Sequence, residues 1–179
     1  MTTQQGKSWL LQKMRDTVNP PSQGDILRAR SRQRGTSTLG RMYFYLYDAK
    51  GKEVLPYWDK FPLVIPIEQY SDGFLGLNLH YISPGARMAL LSGLKQFVTG
   101  SKNDERTRIQ LSYPLLKATH RAYAGLACVK RYLYPHIRSR FIEILPHEWE
   151  IASQVPVQNF KSLTQPITAP EVWAESAGK

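Results

Sequence analysis

The sequence RMYFYLYD, residues 41–48, decides the predicted fold class. Half of its residues are tyrosine or phenylalanine, and aromatic side chains favour strands because they pack well on a pleated surface. The turn sequence DAKGK follows at residues 48–52, and the runs EVLPYWDKF and PLVIPIEQY occupy residues 53–70. Apolar runs separated by short turns predict antiparallel β structure from residue 41 onward.

Prolines and an alternating pattern shape this predicted sheet. Pro56, Pro62 and Pro66 have no N–H to donate to a strand ladder, so they place their segments at edges or bends. FLGLNLHYI, residues 74–82, alternates in the manner of a half-buried strand. We therefore expect a small, strongly bent antiparallel sheet or partial barrel over about residues 41–82.

Helix signals follow the sheet. Ser83 and Pro84 suit a helix start, and apolar residues recur at three- and four-residue steps through residue 98. Residues 114–133 and 146–153 each begin with proline and predict a second and a third helix. The predicted fold class is therefore α+β, with two or three helices packed on the sheet.

The two ends of the chain have a different composition from this body. We expect a basic N-terminal arm over residues 1–40, one α+β domain over 41–153, and an extended C-terminal arm over 154–179. Prolines and weak periodicity indicate extended chain in the C-terminal arm. The arms also carry aromatic residues that predict docking onto the body or onto a neighbour, namely Trp9, Phe160 and Trp173.

Two basic groups stand out in a chain whose net charge is +10. The first is Arg28, Arg30, Arg32 and Arg34, whose two-residue spacing places all four guanidiniums on one side of an extended chain. The second interleaves with aromatic residues in KRYLYPHIRSRF, residues 130–141, and comprises Lys130, Arg131, Arg138 and Arg140. Such groups bind phosphate or carboxylate, so nucleic acid and acidic protein surfaces both fit. A solubilising tail, for the first group, and the cationic end of a helix, for the second, are the structural alternatives.

Few signals of catalysis are present. The four histidines have no metal-site spacing, the one cysteine permits no intrachain disulfide, and no phosphate-binding glycine loop or Gly-x-Ser-x-Gly sequence occurs. We therefore expect no enzyme activity, no metal and no cofactor. No run approaches the roughly 18 apolar residues of a membrane span, so a membrane partner is not expected either.

Several motifs of this chain resemble a family of small virion-associated proteins of contractile-tailed bacteriophages. They are the aromatic strand ending in Tyr47-Asp48, LPYWDKFPLV at residues 55–64, DGFLGLNLHY at 72–81, and KRYLYPHIRSRFIEI with EWEIA at 130–152. The resemblance implies a phage protein, assembled in the host cytoplasm into the tail, baseplate or neck of the virion. It implies no catalytic residue.

These observations lead to two functional hypotheses. The first is a non-enzymatic structural subunit of the virion that binds other virion proteins, in a ring or another multi-copy assembly, through its basic and aromatic arms. The alternative is a nucleic-acid-binding phage protein that contacts DNA through Arg28–Arg34 and Lys130–Arg140.

Overall fold

The computed structural model describes residues 20–99 and 128–178. Helices in these segments are α1 (Gln23–Leu27), α2 (Pro84–Thr99), α3 (Trp149–Gln154) and α4 (Ala169–Gly178). Strands are β1 (Gln33–Arg34), β2 (Met42–Phe44), β3 (Trp58–Asp59), β4 (Leu63–Tyr70), β5 (Gly73–Asn78), β6 (Val129–Leu133), β7 (Phe141–Ile144) and β8 (Phe160–Lys161). Short 3-10 turns lie at Arg30–Arg32, Leu79–Tyr81, Tyr134–His136 and Pro146–Glu148.

Six strands form one antiparallel sheet in the order β1-β7-β2-β4-β5-β6, and β3 pairs separately with β8. The predicted α+β class is confirmed, and the sheet does not close into a barrel. Its strands come from residues 33–144 and extend beyond the predicted range of 41–82. The additional strands β1, β6 and β7 lie far apart in sequence, so their pairing leaves no local signal.

The sheet separates two apolar clusters. Leu63, Ile65 and Leu77 belong to the larger cluster, which also contains buried side chains from all four helices. Alternate residues of the same strands, such as Val64 and Phe74, point to the opposite face. That face is mainly aromatic, and its other buried members are Tyr43, Tyr45, Tyr47, Ala49, Tyr132 and Phe141.

The aromatic face is concave. Phe74 lies on β5 and Phe141 on β7, and these strands stand three positions apart in the sheet. A flat sheet separates such strands by roughly 14 Å, because adjacent strands lie about 4.8 Å apart. The two ring centroids are only 6.2 Å apart, and Tyr45 lies within 6.2 Å of both. The sheet therefore bends around a core of interlocked rings, in agreement with the predicted strong bend.

The predicted helices are found in part. Helix α2 begins at Pro84, where the Ser83 hydroxyl accepts a hydrogen bond from the Ala86 N–H at 3.4 Å. The predicted third helix is present as the turn Pro146–Glu148 followed by α3. The helix predicted over 114–133 is wrong at its end, because residues 129–133 form β6 and pair with β5. The rest of that helix lies outside the described residues.

Both terminal segments pack on the body where the structure describes them, in contrast to the predicted extended arms. Ile26 and Ala29 are buried in the larger cluster, and β1 pairs with β7. At the other end Val157 and Val172 are buried, and α4 begins where Glu171 accepts hydrogen bonds from Thr168. Burial of these apolar side chains stabilises packed termini over free ones. In residues 20–99 and 128–178, no helix has the length and hydropathy needed to span a bilayer.

Replacing Gly73 with alanine should destabilise the fold. An added Cβ would lie 1.9 Å from the carbonyl oxygen of Tyr132, so β5 and β6 would have to separate. We expect a loss of about 1–3 kcal/mol in the free energy of unfolding, measured by urea denaturation. Gly35→Ala is the matched control, because nothing lies within 4 Å of the position that its added Cβ would occupy, and it should change stability by less than about 0.5 kcal/mol. Equal stability of the two variants would contradict the described β5–β6 pairing.

Candidate functional site

The four arginines of the first basic group do not form one charged edge. Arg30 and Arg32 lie in a 3-10 turn, and only Arg34 of the four lies on a strand. Arg28 has a side chain 80% exposed and lies 3.4 Å from Asp25, while Arg30 is also exposed. The extended arm predicted for residues 28–34 is therefore wrong, and two of its arginines remain open to solvent.

The other two arginines are bound to buried carboxylates of the body. Arg32 donates twice to Glu148, at 3.1 and 3.2 Å, and the Glu148 side chain is fully buried. Arg34 contacts one carboxylate oxygen of Glu143 at 2.7 Å, and Arg41 contacts the other at 2.7 Å. These ion pairs hold residues 32–41 against β7 and the turn before α3. They are structural contacts, which sequence spacing does not reveal.

Two members of the second basic group, Lys130 and Arg131, lie on β6, which is the last strand of the described sheet. Arg131 on β6 pairs with Asp72, and its guanidinium lies 3.8 Å from the centroid of the Tyr70 ring. Lys130 precedes it and points to the opposite face, where its ammonium lies 4.5 Å from the centroid of the Tyr81 ring. Arg140 is exposed near the start of β7.

The turn at residues 48–52 brings further cations to this region. Asp48 accepts a hydrogen bond from Lys52 at 2.8 Å and lies 3.5 Å from Arg138. The hydrogen bond from Lys52 lowers the pKa of Asp48. The Asp48 N–H donates to the carbonyl oxygen of His136 at 3.0 Å, so backbone contacts fix the turn beside the second basic group. Sequence reasoning treated DAKGK only as a turn and missed its two lysines.

We call this surface the basic rim and define it as Lys50, Lys52, Lys130, Arg131 and Arg138. Its carboxylate partners are Asp48 and Asp72, and Asp59 lines the adjoining cavity, so five cations face three carboxylates. The surface therefore favours anions even after its ion pairs are counted.

The basic rim adjoins a cavity of about 240 Å³. Lys50, Lys130 and Arg131 contribute to its lining. The other lining residues are mostly aromatic, and they are Tyr47, Ala49, Leu55, Tyr57, Trp58, Asp59, Tyr81 and Tyr132. The cavity is thus a partly enclosed aromatic site with cations at its edge.

Asp59 forms the floor of the cavity and is only 3% exposed. One carboxylate oxygen accepts from the backbone N–H groups of Phe61 and Asn159, at 3.0 and 3.3 Å. The other accepts from the Asn78 amide at 3.2 Å and lies 2.7 Å from the His80 ring nitrogen Nδ1. Four partners therefore satisfy both oxygens, as a buried carboxylate requires.

The C-terminal segment packs against two aromatic residues of the cavity lining, Tyr57 and Tyr81. Phe160 packs edge-on against Tyr81, with ring centroids 5.1 Å apart, and Tyr57 stacks near Tyr81 at 6.0 Å. The Tyr57 hydroxyl donates to Glu175 at 2.8 Å. Burial, followed by this hydrogen bond, raises the pKa of Tyr57 to about 12.

The predicted aromatic anchors contact the chain's own body. Phe160 packs against Tyr57 and Tyr81, and the Trp173 indole N–H donates to the carbonyl oxygen of His80 at 2.8 Å. The Arg87 guanidinium lies 5.3 Å from the centroid of the Trp173 ring. Trp9 lies outside the described residues. Across residues 20–99 and 128–178, no group of three or more His, Cys, Asp or Glu side chains is placed to hold a metal ion.

Removing Arg32 should destabilise the protein, because the buried Glu148 carboxylate would lose the two hydrogen bonds that it accepts from the Arg32 guanidinium. We expect Arg32→Ala to lower the free energy of unfolding by about 3–5 kcal/mol. Arg30→Ala is the matched control, an exposed arginine two residues away, and should cost less than about 0.5 kcal/mol. Urea denaturation of both variants gives the comparison. Similarly small losses of unfolding free energy in the two variants would show that the Arg32–Glu148 pair does not hold residues 32–41 against the body.

Comparison with known proteins gives a family for this chain. No curated protein matches it, and no solved structure matches it. The family model described as Phage T4 terminal DNA protecting protein matches residues 12–176. The predicted phage origin is confirmed by this match. The prediction of a structural subunit of the tail, baseplate or neck is wrong, because the family is described by the protection of DNA. The family description also gives no support to the predicted ring of virion proteins. The chain belongs to the phage T4 terminal DNA protecting protein family.

Proposed function

We propose that this protein binds the ends of linear phage DNA and shields them by occupying them, without catalysing a reaction. The observation that carries the proposal is the family match over residues 12–176, since the family description names terminal DNA. The alternative hypothesis from the sequence, a nucleic-acid-binding phage protein, agrees with this description. Such a role places the protein on phage DNA in the host cytoplasm or in the virion.

The basic rim supports this function electrostatically. Contacts from Lys and Arg to phosphates release counterions from DNA and supply much of the binding free energy. Lys50 and Arg131 are exposed, and the Arg138 side chain is 54% exposed, so phosphates can reach all three. Asp48 and Asp72 hold rim cations in place without neutralising the whole surface.

The two basic groups are therefore unequal as DNA contacts. Arg32 and Arg34 are engaged by Glu148 and Glu143, which leaves Arg28 and Arg30 as the open members of the first group. The rim combines a larger number of cations with aromatic rings, on which bases can stack. We assign the main DNA contact to the rim.

An exonuclease protection assay tests the function. A linear duplex is digested by an exonuclease with and without the protein, and the protein should slow the loss of full-length DNA. The same duplex cut internally by an endonuclease is the control for general coating. Protection from the exonuclease but not from the endonuclease is the expected result. Absence of exonuclease protection at saturating protein, or equal protection from both enzymes, would contradict end binding.

A pair of double variants tests the assignment to the rim. Lys52→Ala with Arg138→Ala removes two rim cations, and Arg28→Ala with Arg30→Ala removes two cations outside it. The rim variant should weaken DNA binding and reduce the slope of log affinity against log salt by about two, since each phosphate contact contributes about −0.9. The second variant should keep most of the slope. Equal losses would show that net charge alone governs binding.

A further inference from the structure

We propose that the cavity that adjoins the basic rim receives the terminal nucleotide of a DNA strand, with its 5′-phosphate beside Lys130. This inference rests on the proposed function and adds a ligand and a site to it. The two are separable, because a protein can cover a DNA end with its surface alone.

Lys130 is the first reason to place an anion in the cavity. Its side chain is half-buried, and no carboxylate in the described part of the chain pairs with it. Its near neighbour is the face of the Tyr81 ring, at 4.5 Å. Burial lowers the pKa of the Lys130 ammonium, because leaving water disfavours its charged form. A phosphate beside the ammonium would supply charge-assisted hydrogen bonds in place of those that the ammonium loses when it leaves water.

The size and lining of the cavity select the rest of the ligand. Its volume of about 240 Å³ lies just below the roughly 300–1,000 Å³ of typical small-molecule sites, so it suits one small unit and not a run of nucleotides. Trp58 is a partly exposed ring in the lining, to which Tyr57 and Tyr81 also contribute. Aromatic faces stack on bases of any sequence.

The Asp59 carboxylate does not take the place of the proposed phosphate beside Lys130. It lies at the floor and is 3% exposed, and both of its oxygens already accept hydrogen bonds from the protein. The buried Arg87 guanidinium also acts electrostatically on Asp59 from the protein interior. The anion would therefore lie near the rim, between Lys130 and Lys50, and away from the floor.

The partly enclosed shape of the cavity favours a strand terminus over internal DNA. An internal nucleotide continues on both sides, whereas a terminal one needs only one exit. A 5′-phosphomonoester also carries a charge of about −1.5 to −2 at pH 7, against −1 for an internal phosphodiester. Shape and charge thus both select the 5′ end.

Calorimetric titration of the full chain tests the ligand directly. The probes are thymidine 5′-monophosphate, thymidine and inorganic phosphate. The nucleotide should bind more tightly than either part, because only it supplies both the phosphate and the base. Lys130→Met, which keeps the apolar stem against Tyr81, should weaken nucleotide binding by about tenfold to a hundredfold, as loss of a charge-assisted hydrogen bond does. Equal binding of thymidine, or no effect of Lys130→Met, would overturn the proposal.

A second experiment separates this inference from the proposed function and uses the wild-type protein. Duplexes with a 5′ overhang carry either a 5′-phosphate or a 5′-hydroxyl, and free thymidine 5′-monophosphate is added as competitor. The 5′-phosphate end should bind more tightly, and the competitor should remove that difference while leaving the binding that both ends share. Equal affinity for the two ends, with exonuclease protection intact, would overturn the cavity inference and leave the proposed function standing. If the wild-type protein gave no exonuclease protection at all, both the cavity inference and the proposed function would be overturned.

Discussion

The burial of the Asp59 carboxylate is the constraint on which the candidate site depends. A carboxylate removed from water must be surrounded by donors, and here the donors come from distant parts of the chain. Phe61 lies two residues away, Asn78 and His80 lie at the end of β5, and Asn159 lies in the C-terminal segment. Satisfying this one group therefore fixes β3, β5 and the C-terminal segment around a common point. The cavity opens above that point.

The bent sheet and the basic rim then determine what the cavity presents. Because the sheet curves, rings from β2, β5, β6 and β7 fill its concave face, and the cavity lies beside that aromatic cluster. Most rim cations are steadied by Asp48 or Asp72 at the surface. Lys130 differs from them, since it faces Tyr81 and has no carboxylate partner among the described residues. The exposed rim cations thus suit the phosphates of a DNA backbone, whereas the half-buried Lys130 suits a single phosphate.

The sequence predicts the parts of this structure that depend on local chemistry. The aromatic run at 41–48, the alternation at 74–82 and the Ser83-Pro84 helix start each correspond to an element of the α+β fold. Other features depend on partners distant in sequence and leave no local pattern. Arg32 meets a carboxylate 116 residues away, so its spacing with Arg30 and Arg34 suggested an extended edge that does not exist. Residues 129–133 continue an apparently helical sequence, but pairing with β5 makes them a strand. Lys130, Arg131 and Arg138 were identified as candidates, whereas the cavity they adjoin required the folded chain.

Photo-cross-linking of a DNA terminus tests the central claim most directly. A duplex carries a photoreactive thymidine at its 5′-terminal position, or at an internal position as the reference, and the linked peptides are identified by mass spectrometry. The account predicts cross-links from the terminal position to the cavity residues within 47–59, 81 and 130–132, and few from the internal position. Cross-links confined to residues 28–34 or to other segments away from the cavity, or the same pattern from both positions, would contradict it.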